Sequence, residues 1–257
     1  MMAERLLAAI CKPPNEVPYD DPTDPAARAR REIPREPLLT LQRGFPNLRE
    51  LVHGRDLLDF GCGFGDQAGA MAREYGARVT GLDSHRGLVA AARERYGHDV
   101  RFIDRVNGET FDVIVTQDAM EHFDDPAAAL AAMAAALRPD GLVLMTFGPP
   151  WWAPYGTHMN FFCPIPWLQL CFSERTVMAV RSRYRKDGAK RYEEVESGLN
   201  KMSLRKFERL IGRSGLTLVR YKYVGVKKMH WLTKIPVVRE LTTVLVTAVL
   251  QRNRSST

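Results

Sequence analysis

The stretch from Asp56 to Phe147 predicts an α/β fold built on a parallel sheet, and three observations carry that prediction. Short apolar runs (57–60, 78–82, 100–103, 111–115 and 142–147) alternate with helix-patterned segments (67–75, 84–96 and 126–137). Glycine and proline turn signals separate them, from Gly61-Cys62-Gly63-Phe64-Gly65 to Pro139-Asp140-Gly141. Strands joined through helices pair in parallel, and the helices then cover both faces of the sheet.

Taken in order, residues 13–37 hold seven prolines among Asp and Arg, which predicts an irregular arm. Residues 38–52 supply a short helix leading into the core. Ser84 is the expected cap of the helix ending at Tyr96. Asp125 and Pro126 open an alanine-rich helix to Leu137, with proline tolerated at its first position. After Phe147 the composition changes. Residues 147–172 contain eight aromatics and five prolines, and residues 173–200 are basic and partly helical. Ser203 caps a helix to Ile211, 216–226 read as a strand, and 236–240 as a helical turn. The β-branched run 242–249 predicts a final strand. The expected divisions are an arm and helix (1–50), a core (51–147), an inserted aromatic and basic cap (148–200) and a completion of the sheet (201–257).

Composition narrows the function classes. Of 257 residues, 45% are hydrophobic and 26% charged, which excludes wholesale disorder and fibrous repeats. No run approaches the roughly 20 apolar residues of a membrane span. The brief run 6–10, followed by Lys12-Pro13-Pro14, makes a poor secretory signal. Four cysteines (Cys11, Cys62, Cys163 and Cys171) show no Cys-x-x-Cys pair, so a reduced, cytoplasmic protein is expected. The net charge of +7 is uneven: residues 175–257 carry 20 Lys and Arg against 6 Asp and Glu. That third could meet a phosphate, a membrane surface or a nucleic acid, or could form solvated helix faces.

The most informative segment is Asp59-Phe60-Gly61-Cys62-Gly63-Phe64-Gly65, between a strand and a helix. Glycines there permit a tight turn and close approach of backbone to a ligand. A dinucleotide fingerprint would need its third glycine at position 66, which is Asp. The pattern resembles motif I of the class I S-adenosylmethionine-dependent methyltransferases. Asp83 ends the next strand, where a carboxylate can accept both hydroxyls of a ribose. Phe111 to Val115, then Met120-Glu121-His122-Phe123 and Asp125-Pro126, look like that family's fourth-strand region. Leu137-Arg138-Pro139-Asp140-Gly141 looks like its later motif. The resemblance covers 56–147.

It implies a Rossmann-like sheet with an antiparallel last strand and S-adenosylmethionine as cofactor. The implied cofactor site is Asp59, Gly61, Cys62, Gly63, Gly65, Asp83, Ser84, Asp104, Gln117, Asp118 and His122. Asp104, by the same resemblance, would meet the adenine amino group, although the usual Gly-Asp-Ala run is missing there. At Gln117 and Asp118 backbone and side-chain contacts are equally open. His122 also reads as a structural histidine beside the pocket. Asp59 and Asp83 could each serve as a local cap instead.

Methyl transfer is an in-line displacement at a sulfonium carbon, in which the protein positions the acceptor and excludes water. A general base helps when the acceptor is an alcohol or phenol. The candidate is His158, in the loop after the fifth strand; the other reading is a loop histidine bonded for structure. Trp151, Trp152 and Tyr155 in that loop are candidate acceptor contacts. The aromatic run could equally be a lid, a membrane-touching patch or a small core beneath the cap. His158, Cys163 and Cys171 fit no zinc-ligand frame, so no metal is expected. The expected function is methylation, at oxygen, of a small or medium organic acceptor, which could be apolar, anionic or lipid-linked. The alternatives are an RNA methyltransferase using the basic third, against which no RNA-binding module is visible, and a scaffold that binds the cofactor without turnover. The oligomeric state is left open.

Overall fold

The computed structural model describes residues 2–11, 36–185, 187–195, 198–227 and 230–253, so all but the last two positions of the expected arm at 13–37 lie outside the described residues. The first half runs through Met2–Ile10 (α1), Leu39–Gly44 (α2), Leu48–Val52 (α3), Asp56–Phe60 (β1), Asp66–Tyr75 (α4), Arg78–Leu82 (β2), Arg86–Tyr96 (α5) and Arg101–Ile103 (β3). Then follow Phe111–Gln117 (β4), Pro126–Ala136 (α6), Leu137–Phe147 (β5), Leu168–Cys171 (α7) and Glu174–Arg181 (α8). Leu204–Ile211 (α9), Leu216–Gly225 (β6), Arg239–Thr242 (α10) and Thr243–Arg252 (β7) complete the chain.

The strands form one sheet in the order β3-β2-β1-β4-β5-β7-β6. β1 to β5 are parallel, and β7 enters antiparallel to both β5 and β6. The expected α/β sheet with an antiparallel last strand is what forms. The order reverses at β1, since the chain leaves it toward β2 and β3 and returns on its other side as β4. That reversal opens a crevice at the carboxyl ends of β1 and β4.

Both faces are buried because the central strands are apolar at consecutive positions. Leu57, Val113, Val115 and Leu144 join the core under α2 to α5, while Leu58, Ile114, Val143 and Met145 join the core under α6 and α9. At the amino ends of the strands, Arg138 donates to Asp112 (2.7 Å) and Asp56 (2.8 Å), and Arg78 donates to Asp56 (2.6 Å). This clasp lies at the end of the sheet opposite the crevice.

Three details depart from expectation. Ser84 is not the cap of α5. Asp83 Oδ1 accepts from the His85 amide (2.8 Å), and this turn moves the helix start one residue on, so that His85 Nδ1 accepts from Leu88 N at 3.3 Å. Pro139-Asp140-Gly141 is no turn but an irregular beginning of β5: Phe111 pairs with Leu137 and Val113 with Leu142, and Arg138 is held there by its two carboxylates. The expectation of reduced cysteines is also corrected, because Cys11 and Cys163 form a disulfide across 152 residues of sequence. Sequence spacing carries no hint of that pair, since only the folding of the cap brings α1 to it.

Much of the aromatic stretch is a small core of its own. Phe162, Tyr192, Met159, Leu168 and Val177 pack together with Leu7 of α1. Glu240 and Ser203 cap α9, taking the amides of Leu204, Arg205 and Lys206 at 2.9–3.1 Å.

Gly69, inside α4, offers a test of this packing. A helix interior favours alanine over glycine by about 1 kcal/mol. A Cβ at position 69 would stand 2.6 Å from the buried Tyr96 ring, whose hydroxyl is fixed to Asp66 (2.8 Å). Overpacking of this kind costs roughly 1–3 kcal/mol. Gly69→Ala is therefore expected to destabilise the protein in urea unfolding, the reverse of the propensity argument; a stabilised variant would show that the ring can move.

Candidate functional site

The crevice is built first from a loop of glycines. Gly61, Gly63 and Gly65 all take positive φ (81°, 53° and 79°), the left-handed region that side chains disfavour. At Gly65 an added Cβ would also meet the Phe102 ring at 2.8 Å, whereas beside Gly63 there is open space within 4 Å. The loop is thus closed on the side of the sheet and open toward the crevice. Asp83 holds it from β2: its Oδ2 accepts from Gly63 N at 3.0 Å. Each Asp83 oxygen takes one backbone amide and keeps a second lone pair for another donor. Cys62 is buried, and burial pushes its thiol up, so it is an inert wall.

Asp59, at 1% exposure, lies beneath the loop. Gln67, from the first turn of α4, donates to Asp59 Oδ1 at 2.9 Å, while Oδ2 is buried without a partner. Burial raises this carboxyl to about 7, against the lowering effect of Gln67 and with a further upward push from Asp83. At the tip of β4 the Gln117 Oε1 is likewise buried without a partner. Asp118, at φ 50°, follows it; the residue is exposed as a whole, and desolvation by the surrounding protein raises its carboxyl to about 6. Ser84 and Asp104 stand exposed at the tips of β2 and β3. Sequence reasoning missed Gln67, whose only signal is its place one turn after the glycines.

A second cluster sits beyond β4 and β5. His122 Nδ1 donates to the Gly198 carbonyl at 2.8 Å, and its ring centroid is 5.3 Å from that of His158. His158 is half-buried at φ 55°, with Nε2 3.5 Å from the Pro149 carbonyl. Burial, reinforced by the neighbouring His122, lowers its imidazole to about 4. The ring is neutral at any ordinary pH. Glu121, 3% exposed, accepts from Gly148 N at 2.9 Å, and burial raises its carboxyl to about 8. Asn200 ties the cap to this turn: its amide donates to Glu121, and its Nδ2 to Met120 and Phe123. Glu121 and Asn200 were not foreseen; Asn200 lies some 80 residues away with no local signal.

The loop that carries His158 also carries the expected acceptor contacts. Trp151 is half-buried against Tyr192 (4.9 Å between rings), and Gln169 pins its carbonyl at 2.6 Å. Trp152 and Tyr155 are exposed. Cys163, being bonded to Cys11, is not available to a zinc site with His158 and Cys171, and among the described residues no three metal-ligating side chains converge.

This arrangement is matched over most of its length by one family: the model of a methyltransferase domain aligns with residues 27–221. The chain belongs to that methyltransferase family. Curated relatives include a ubiquinone biosynthesis O-methyltransferase of Neisseria meningitidis serogroup C, 34% identical over 106 residues, which are 37% of this chain and 44% of the relative. A second, of Vibrio campbellii, is 34% identical over 105 residues, again 37% and 44%. The chain thus matches less than half the length of these relatives. Among solved structures, an S-adenosylmethionine-dependent methyltransferase from Mesorhizobium loti shares the fold at TM-score 0.52 and 16% identity, over 81% of this chain and 97% of that one.

The methyltransferase cofactor is S-adenosylmethionine, and the crevice suits it on two observations. Near the carboxyl ends of β1 and β4 two buried oxygens, Asp59 Oδ2 and Gln117 Oε1, lack a partner and match the N–H and O–H donors this cofactor brings, and the space beside Gly63 admits close approach to backbone. Asp59 makes this testable. A carboxyl near 7 is about half protonated at pH 7, and a bound cation favours its charged form. Cofactor binding is therefore expected to release about half a proton at pH 7 and about a tenth at pH 8. Calorimetry in buffers of different ionisation enthalpy measures this; zero release at both pH values would separate Asp59 from the cofactor's charges.

Proposed function

We propose that this chain is an S-adenosylmethionine-dependent O-methyltransferase acting on a small or medium organic acceptor. The observation that carries the reading is the neutral, desolvated His158 beside a glycine-lined crevice at the reversal of a parallel sheet. When bound, the cofactor supplies an activated methyl group on a sulfonium. The cofactor side is assigned to Asp59, Gly61, Cys62, Gly63, Gly65, Asp83, Gln117 and Asp118, with Ser84 and Asp104 at the rim and His122 on the far wall. Asp83 accepts ribose hydroxyls with its second lone pairs. If the Nε2 proton of His158 points at the Pro149 carbonyl, Nδ1 carries the lone pair and takes the proton of an acceptor hydroxyl. Trp151, Trp152 and Tyr155 line the acceptor's approach and exclude water.

The partial relatives named for O-methylation support oxygen as the acceptor atom. Nothing favours the RNA-methylating or the turnover-free alternative. The deciding experiment combines calorimetric binding of S-adenosylmethionine with transfer of its labelled methyl group to a panel of phenols, alcohols and carboxylic acids. Asp83→Ala is expected to weaken cofactor binding by about 1.5–3 kcal/mol, the scale of a hydrogen bond to a charged group. Binding without transfer to any oxygen acceptor would sink the reading. Among the described residues no helix is long and apolar enough to cross a membrane. For a cytoplasmic location, the free thiols of Cys62 and Cys171 speak in favour and the Cys11–Cys163 bridge against; thiol titration of protein taken from cells decides.

A further inference from the structure

A groove of about 620 Å³ lies between the loop after β5 and the exposed side of α9. Trp151 and Trp152 form one wall, and Ser203, Lys206, Arg209 and Arg213 the other. The buried side of α9 (Leu204, Phe207 and Ile211) faces the sheet, so Lys206 and Arg209 project on the opposite side, and Arg213, two residues past the helix end, lines the same groove. Lys201, at the edge of the groove, is neutralised by Glu174 (2.9 Å) and Glu193 (3.5 Å). Lys206 has no ion pair among the described residues: it donates to the Asn200 carbonyl (2.5 Å), and partial burial holds its pKa below the ordinary lysine value despite a weaker attraction from Glu193. Neither Arg209 nor Arg213 has an ion pair among the described residues.

Folding does not require this arrangement. The helix C-terminus does welcome a cation. Like charges one turn apart nevertheless oppose the helix, and the dipole gives no reason for three of them to converge on two indoles. A ligand does. We propose that the groove binds a phosphoryl group carried on an apolar, ring-bearing small molecule, with the ring against Trp151 and Trp152. Three cations far outweigh the single charge of a carboxylate and come nearer to the roughly −1.5 to −2 of a phosphate monoester. Two arginines suit its oxygens in forked pairs. Ser203 Oγ already accepts from Lys206 N, which leaves its hydroxyl proton to donate.

The groove also adjoins the site. Gly198, whose carbonyl holds His122, is three residues from Lys201, a span of at most about 11 Å. Trp151 is two residues from Pro149, whose carbonyl faces His158. This inference rests on the methyltransferase reading in one respect: the bound phosphate is the anionic end of the acceptor. Phosphate binding itself stands apart from that reading.

The test uses phenyl phosphate as probe, with phenol and inorganic phosphate as controls, on the full chain and on R209A/R213A. The wild type is expected to bind phenyl phosphate more tightly than either control, with affinity falling as salt rises. R209A/R213A should weaken it by about tenfold or more while binding S-adenosylmethionine as before. Trp152→Ala should weaken phenyl phosphate but not inorganic phosphate. Equal binding in R209A/R213A, or no binding by the wild type at millimolar probe, overturns the site. A dimer that R209A/R213A dissolves, without phosphate binding, overturns it in favour of a contact between copies. Vesicles of phosphatidylglycerol distinguish the sources. Sedimentation with them, lost in R209A/R213A, assigns the phosphate to a lipid headgroup; phenyl phosphate binding alone assigns it to a soluble compound. If the wild type binds phenyl phosphate but not S-adenosylmethionine, the methyltransferase reading fails and the groove stands.

Discussion

His158→Ala is expected to lower kcat about 10²-fold with little change in cofactor affinity, because the cofactor site proposed above lies at the tips of β1, β2 and β4. General-base catalysis spans roughly 10²–10⁴ and is greatest when the base titrates near the working pH. An imidazole lowered to about 4 stands well below that, which places the expected loss at the low end. The pH profile carries the sharper test. An ordinary histidine would impose an acid limb near 6.5. Here the neutral form persists, so activity attributable to His158 should hold down to about pH 5 and fall only nearer 4. Stability follows the same group. The unfolded imidazole takes a proton below about 6.5 and the folded one below about 4, so the unfolded state gains protons first as pH falls. That window should remove on the order of 2–3 kcal/mol from the wild type and little from the variant. A variant within a few-fold of wild-type rate across pH would make His158 a structural residue.

The sheet was legible because its signals are local. The apolar runs fix the strands, the glycines after β1 fix the loop, and the spacing to Asp83 fixes the carboxylate that grips it. The antiparallel last strand came with the family resemblance, and the β-branched run at its position agrees with it. The errors are of two kinds. At Ser84 and at 139–141 a correct local signal lost to a competing bond, from Asp83 in one case and from the Arg138 clasp in the other. The Cys11–Cys163 pair, the Asn200 tie and the convergence of Lys206, Arg209 and Arg213 with the indoles depend on how the cap folds back. No periodicity encodes contacts of that range. A count of charge found the basic third but not its groove, since composition says nothing about which face a charge occupies.

Asp187→Ala is expected to cost about 3–5 kcal/mol, and the reason lies in the cap. Arg181, at the end of α8, is only 4% exposed, and both its terminal nitrogens donate to Asp187, at 2.7 and 2.5 Å. The guanidinium holds the Asp187 carboxyl below the usual range. A depressed carboxylate stabilises the fold above its unfolded pKa of about 4 and loses that contribution as pH falls through the lower folded value. At neutral pH the pair is intact. Removing Asp187 strands a buried cation and also deprives the Ala189 amide of its acceptor. Arg181→Met should cost less, because it leaves Asp187, whose side chain is 15% exposed, within reach of water. The damage should be local. The cap carries Tyr192 against Trp151, whereas the glycine loop rests on β1 and β2. Asp187→Ala protein that still folds should bind S-adenosylmethionine normally while acceptor KM rises. Urea unfolding of both variants measures the asymmetry, and equal losses would mean that solvent reaches Arg181 after all.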